Sequence, residues 1–313
     1  MSEAARPKTG SALGLVPVFA LLIAGSLSFG LVIALNRIAT TAGVPYAAYV
    51  FWFSLIGGCL LLLIAVARGK PPGATRAHLK HYLLTGFSAG TLSYLALAFI
   101  APHVPAGIAA LELTLAPMMV YALTVALRMD RFHRLRALGM ALGAAGVLLI
   151  VLPETSLPDP RMVPWVLVGL IAPLPFALGL VAGERYFVHG ADATATASGV
   201  MLAVALTTLP FVAISGQWWF FEGAFSAGHW AVVAAAPLTA CAWIVTFVLL
   251  PQAGSVSYSV IAYLETLAGV GWGMVLFGEA HSPYIWGALV LMFTGIYLVN
   301  RKGRFAGLET RAF

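Results

Sequence analysis

Tyr46 to Ala67 reads YAAYVFWFSLIGGCLLLLIAVA, an unbroken apolar run without a charged residue. A helix rises 1.5 Å per residue, so a run of about 20 residues crosses the hydrocarbon core of a bilayer. Nine further apolar runs lie on either side of this one, separated by Gly/Pro punctuation such as Lys70-Pro71-Pro72-Gly73. With it they define ten candidate spans, at residues 15–37, 46–67, 82–101, 105–127, 135–152, 164–187, 197–215, 229–249, 255–277 and 283–300. The whole chain has the same character. Of 313 residues, 61% are hydrophobic and only 9% are charged, with a mean hydropathy of +0.96. A soluble domain has about 25% charged residues. This composition excludes an ordinary soluble enzyme, a disordered chain and a nucleic-acid binder. The fold class it implies is an all-α polytopic membrane protein.

The run from Leu15 exceeds the 7–15 residues of a signal-peptide h-region and ends at Asn36-Arg37 without a small-residue cleavage site, so it reads as a retained span. Lysine and arginine set the orientation. With the N-terminus on the cytoplasmic side, 15 of the 17 basic residues fall in that compartment and only Arg37 and Arg161 fall outside. Both termini are therefore expected to be cytoplasmic. The net charge of +6 points to anionic lipid headgroups at that face as partners. Cys59 and Cys241 both lie within apolar runs and read as small core residues.

The chain also repeats weakly. A shift of 149 residues sets Tyr94 on Trp243, Pro102 on Pro251, Leu115 on Leu264, Asp130 on Glu279 and Gly146 on Gly295, and a shift of 148 sets Asn36-Arg37 on Glu184-Arg185. Each half then holds five spans. An odd number gives the halves opposite orientations, the inverted repeat of alternating-access carriers. The expected organisation is a cytoplasmic tail (1–14), a first five-helix repeat (15–152), an extracytoplasmic linker (153–163), a second repeat (164–300) and a basic cytoplasmic tail (301–313).

Spans four and nine carry a family likeness. Span four runs from Ala106-Gly107-Ile108-Ala109-Ala110-Leu111-Glu112 through Pro117 to Arg128-Met129-Asp130. Span nine runs from Ser255 through Leu264-Glu265-Thr266 to Leu276-Phe277-Gly278-Glu279. With two five-helix halves, this resembles the drug/metabolite transporter superfamily and its EamA-type exporters, in which a mid-span proline and an acidic residue after the span are usual. Thr266 stands where that proline is expected, and Asp130 where a glutamate is. The resemblance implies a secondary transporter of small metabolites in the inner (cytoplasmic) membrane of a bacterium. Its closest branch is the aromatic amino acid exporters.

The residues themselves narrow the chemistry. No H-E-x-x-H, P-loop or potassium-type filter is present, all four lysines lie outside the spans, and all seven histidines fall in loops or at span ends. We expect no enzyme activity, no cofactor and no metal. Two carboxylates remain well inside spans, Glu112 and Glu265. Each costs about 2.5–3.5 kcal/mol to insert, so it should face a cavity or a partner. Such a group either meets a substrate ammonium, carries a proton, or stays protonated and bonds to a neighbouring helix. The repeat aligns Glu112 with Ile261, one turn from Glu265.

Thr239, Trp243 and Thr246 fall at i, i+4 and i+7 in span eight. Ser88, Thr91 and Tyr94 do similar duty in span three, and Tyr258 and Tyr263 lie in span nine. These residues offer aromatic walls and hydroxyls for a small substrate, or else pack the core. Pro173 and Pro175 should break span six, and Pro117 should bend span four. Peptide groups freed at a break can hold a substrate carboxylate or simply kink the helix. Arg37 and Arg185 close spans one and six and read as snorkelling, or else as a clamp for a substrate carboxylate or as gate residues. Trp218 to Phe221 reads as an interfacial belt, and Gly139, Gly143 and Gly146 as a close-packing stripe. Sugar phosphates, which need deep basic residues, and cationic drugs are the rival substrates within the superfamily. A non-transporting receptor is the rival class. One chain supplies both walls of a pocket, so a monomer suffices.

Overall fold

A computed structural model describes residues 15–151, 157–253, 255–259 and 261–300. The terminal tails expected at 1–14 and 301–313 lie outside them. We number the helical rods α1 (Leu15–Thr41), α2 (Tyr46–Ala67), α3 (Arg76–Ile100), α4 (Ala106–Ala126), α5 (Arg134–Val151), α6 (Pro160–Arg185), α7 (Ala193–Ser215), α8 (Ala227–Ala253), α9 (Ile261–Phe277) and α10 (Pro283–Asn300). Among the described residues seven of these, α1–α4 and α6–α8, are long and apolar enough to cross a membrane. The chain is that of a multi-pass membrane protein. Helices suit this environment because each satisfies its backbone hydrogen bonds within the segment, where lipid offers none.

Several rods outrun their apolar stretches. Helix α3 begins at Arg76, with Thr75 accepting the His78 N–H as its cap, six residues before the apolar run at 82. Hydropathy misses this turn because Arg76, His78 and Lys80 dilute it. In consequence His81, expected at a span end, is buried in the bundle with 1% exposure. Helix α7 begins at Ala193 because Asp192 accepts the Thr194 and Ala195 N–H groups, and Thr194, Thr196 and Ser198 are buried in its first turns.

Four rods are irregular. A π-helical stretch, Gly86–Leu92, interrupts α3, and a 3-10 turn, Leu113–Leu115, interrupts α4. Pro117 sits in the first turn of the helix that resumes at Ala116. In α6 the helix stops at Gly169 and restarts at Pro173. Before α9 lies a separate turn, Ser255–Tyr258.

The packing pairs the halves. Helix α2 lies on α7, α4 on α9 and α5 on α10. Helix α1 lies against α8 and α9, as α6 lies against α3 and α4, and α2 meets α8 as α7 meets α3. Exchanging the first five rods for the last five leaves this pattern unchanged. Small residues permit the close approaches. A Cβ on Gly30 would stand 2.6 Å from the Ala268 Cβ and 2.7 Å from the Gly269 nitrogen, so the backbones of α1 and α9 touch. At the α5–α10 seam Gly295 faces the Gly139 carbonyl, and Gly143 and Gly146 receive Met118 and Met292. The stripe expected at 139–146 is thus a packing surface.

At one end of the bundle Asp192 also faces the Lys70 ammonium at 3.4 Å and the Arg68 guanidinium at 3.9 Å. Burial raises its carboxyl pKa, but the Ala195 N–H, Lys70 and Arg68 outweigh this and hold it below the usual carboxylate value. A depressed folded pKa means that the stabilisation is present at neutral pH and is lost as pH falls through it. Asp192→Ala should cost about 1 kcal/mol in thermal unfolding in detergent, and Asp192→Asn, which keeps the cap acceptor, clearly less. The difference between Asp192→Ala and the parent should shrink as the carboxyl protonates.

Candidate functional site

Midway along the bundle, polar and aromatic groups from six rods converge. Glu265 on α9 is 5% exposed, and one of its carboxylate oxygens, Oε2, has no hydrogen-bond partner. It lies within electrostatic reach of the Tyr94 hydroxyl on α3 and of Tyr258 in the turn before α9. Tyr258 shares a 2.8 Å hydrogen bond with Thr246 on α8. Thr246 also donates to the Ala242 carbonyl, which leaves its oxygen to accept from the tyrosine. Trp243, one turn before Thr246, stacks on Phe247 with ring centres 5.5 Å apart. The Trp243 indole N–H is directed at Tyr94 but lacks hydrogen-bond geometry. Phe29 of α1 stands 6.2 Å from the Tyr94 ring and 6.3 Å from Phe176 of α6, and Phe53 of α2 packs 5.5 Å from Tyr94. The outcome is an aromatic box with one carboxylate in its wall.

The residues singled out from sequence divide. Glu265, Tyr94, Trp243 and Thr246 come together, and Thr239 lies on the same buried face of α8, its hydroxyl unpartnered. Thr91 does not join them. Its hydroxyl bonds Thr207 at 2.6 Å and the Val204 carbonyl at 3.3 Å, at the α3–α7 seam. Ser88 and Thr91 lie in the π-helical stretch, where α-helical spacing does not hold. Tyr263 also points away and packs edge-on to Phe293 of α10 at 4.9 Å. It stands two residues from Glu265 on a helix, which places it on a different face.

Glu112 occupies a separate place. It is buried with both oxygens unpartnered, and Gly169 of α6 makes room for them, since any Cβ there would collide with its carboxyl. The α6 break lies directly beyond. The amides expected to be free there are spent. Leu170, Ile171, Ala172, Leu174 and Phe176 donate to Val166, Val168, Gly169, Ile171 and Ala172 respectively, and Pro173 and Pro175 carry no N–H. The Ala172 carbonyl accepts from Ser93 at 3.0 Å. Within the chain this break is a bend sealed by α3.

Arg37 does not snorkel. It makes a 2.6 Å ion pair with Glu279, which also accepts the Ala106 and Gly107 N–H groups at 2.7 and 3.0 Å. The carboxylate thus joins the end of α1, the start of α4 and the end of α9 in one knot, favoured by the positive end of the α4 dipole. His281 lies 3.8 Å away, and burial lowers its pKa against the pull of Glu279. Near the far ends of these rods, Asp130, the counterpart of Glu279, bonds among the described residues within its own segment, to Arg136 at 2.5 Å and to the Arg131 N–H. The amide of Ser255, counterpart of Ala106, donates instead to Glu184 at 2.8 Å. Sequence reading passed over Phe29, Phe53 and Phe176, which look like any other apolar positions. The acidic pair 130/279 was visible in the repeat.

The fold and site can now be set beside known proteins. Residues 16–152 match the EamA-like transporter family. The match runs from the start of α1 to the end of α5. No curated protein matches the chain. A solved structure titled only as the crystal structure of a protein is similar over 92% of this chain and 99% of its own, with a TM-score of 0.61 and 18% identity. That likeness concerns the fold alone.

An unpartnered buried carboxyl costs about 1–3 kcal/mol. Glu265→Met, similar in volume and apolar, should therefore raise the unfolding temperature in detergent while removing any ligand-induced shift. An unchanged or lower melting temperature would mean that the carboxyl already has a partner.

Proposed function

We propose that this protein is a secondary transporter of small metabolites working by alternating access, and that it carries amino acids with neutral or aromatic side chains. The observation that carries the reading is Glu265, a buried carboxylate with an unpartnered oxygen inside an aromatic box built by both halves of the chain. A carboxylate in hydrocarbon needs a cation or a proton. The ammonium of an amino acid is such a cation, and Tyr94, Trp243, Phe29 and Phe176 can enclose its side chain. A sugar phosphate would need a deep cation. Among the described residues the buried arginine is Arg136, at the start of α5 and paired with Asp130. The match of residues 16–152 to a transporter family supports the class but not the substrate. The reading includes a bacterial inner membrane, cytoplasmic termini, anionic headgroups at the cytoplasmic face and a functional monomer.

The exchangeable packing pattern supports two inverted repeats as the moving parts. On this reading the Arg37–Glu279 knot is the extracytoplasmic gate, closed in this conformation. At the cytoplasmic end Asp130 pairs locally and Ser255 bonds within the second repeat, so no equivalent carboxylate ties that repeat to α4. In the opposite state Asp130 would take the Ser255 amide as Glu279 takes Ala106, and the Glu279 knot would open.

Two measurements test this. Proteoliposomes loaded with unlabelled phenylalanine should accumulate labelled phenylalanine above protein-free liposomes at equal pH. Glu265→Gln should reduce that exchange at least about tenfold, the loss expected for one charge-assisted contact. No overshoot by the parent removes phenylalanine as substrate and favours a receptor. For the gate, Glu279→Gln should increase labelling of a cysteine placed at Ile33, buried at the α1–α9 seam, by an impermeant reagent from outside. The background would lack Cys59 and Cys241. Equal labelling would show that the knot does not hold the gate.

A further inference from the structure

A second set of unpartnered polar groups lies away from Glu265, towards the other end of α8. His81 on α3 is 1% exposed, and neither ring nitrogen has a hydrogen-bond partner. The Tyr186 carbonyl is the backbone acceptor within electrostatic reach of the ring. One turn along α3, on the same face, Thr85 is equally buried and its hydroxyl is also unpartnered. Gly183 of α6 leaves space over that hydroxyl, which a Cβ there would approach to 3.6 Å. Around the imidazole stand Phe187 at 5.9 Å and Phe247 at 5.5 Å, both edge-on. Phe247 is the same ring that stacks on Trp243 of the central box. The two sets of groups thus share a wall.

A neutral imidazole always carries one donor and one acceptor. If Tyr186 takes the donor, an acceptor nitrogen remains in an apolar wall beside a free hydroxyl. Leucine would fill this place without that cost, and with Tyr186 as acceptor for one ring nitrogen the other nitrogen and the Thr85 hydroxyl are left for a further partner. We infer that His81 and Thr85 form a second binding station for the substrate, between Glu265 and the cytoplasmic mouth, where the imidazole accepts a hydrogen bond from the ammonium of an amino acid while Phe187 and Phe247 flank its side chain. The station rests on the transport reading above and gives its substrate two acceptors in series. The ammonium passes from one to the other along the Trp243–Phe247 stack without lying bare in hydrocarbon.

The test compares His81→Leu with His81→Gln, which keeps a donor and an acceptor. Both should fold, His81→Leu with at least the parent's melting temperature, and both should keep the phenylalanine-induced shift that reports Glu265. His81→Leu should exchange phenylalanine about tenfold more slowly, the value of one hydrogen bond, and His81→Gln should recover most of that rate. In the parent, the imidazole ¹⁵N resonance of His81, assigned by its loss in His81→Gln, should move when phenylalanine is added. Exchange by the parent with a still resonance, or at an equal rate in His81→Leu, overturns the station alone. A glutamine variant as slow as the leucine variant reduces His81 to a packing residue and overturns it too. A parent that neither exchanges phenylalanine nor shows the shift overturns both readings. A moved resonance without exchange keeps the station and removes transport.

Discussion

Hydrocarbon supplies no hydrogen bonds, and the rest of this structure follows from that. Every peptide group within the bundle must be satisfied by the chain, so the rods are helical and their interruptions are sealed. The break in α6 shows how completely. Two prolines remove donors, 3-10-like turns take up the remaining N–H groups, and Ser93 of α3 takes the Ala172 carbonyl. Against this background, and besides Ser26, Tyr49, Ser54, Tyr263 and others, the buried side chains without partners include Glu265, Thr239 and Trp243 in the central box, Glu112 beside Gly169 of α6, and His81 with Thr85 towards one end. The latter groups lie along the inner faces of α3, α4, α8 and α9. A chain that spends backbone groups so fully gains nothing in stability from such side chains, which is why the proposed function is built on them.

The same constraint shapes the ends. Near the bundle surface charges can be hydrated, yet Glu279 is held on two amides and a guanidinium from the other half. Asp130, its counterpart in the repeat, stays within its own segment. Two equivalent places in a repeated chain thus make unlike contacts. That difference is the observation on which the proposed gate rests.

Legibility from sequence was uneven, for reasons tied to particular residues. Glu265, Tyr94, Trp243 and Thr246 were readable because helical spacing holds in α8 and because an intramembrane carboxylate is conspicuous. Thr91 bonds Thr207 and Val204 at the α3–α7 seam instead, in a π-helical stretch that nothing in Gly86–Leu92 announces. Tyr263 was misplaced because an aromatic in a span has many possible neighbours, and only the packing of α9 on α10 selects Phe293. His81 was set at a span end because charged residues diluted the first turns of α3. Arg37 was read as snorkelling because its partner lies more than two hundred residues away.

By itself the sequence determined the solvent this protein lives in, the number and order of its apolar runs, and which polar residues would be costly inside them. These follow from composition and local periodicity, which any stretch of chain carries within itself. Tertiary structure decided which of the costly residues meet and which are satisfied at seams. It also decided which charges tie the halves together at each end, Arg37 with Glu279 at one and Arg68 and Lys70 with Asp192 at the other. Those outcomes depend on rod rotation and on contacts between residues remote in sequence. A change in helical register is enough to turn a side chain from one neighbouring helix to another.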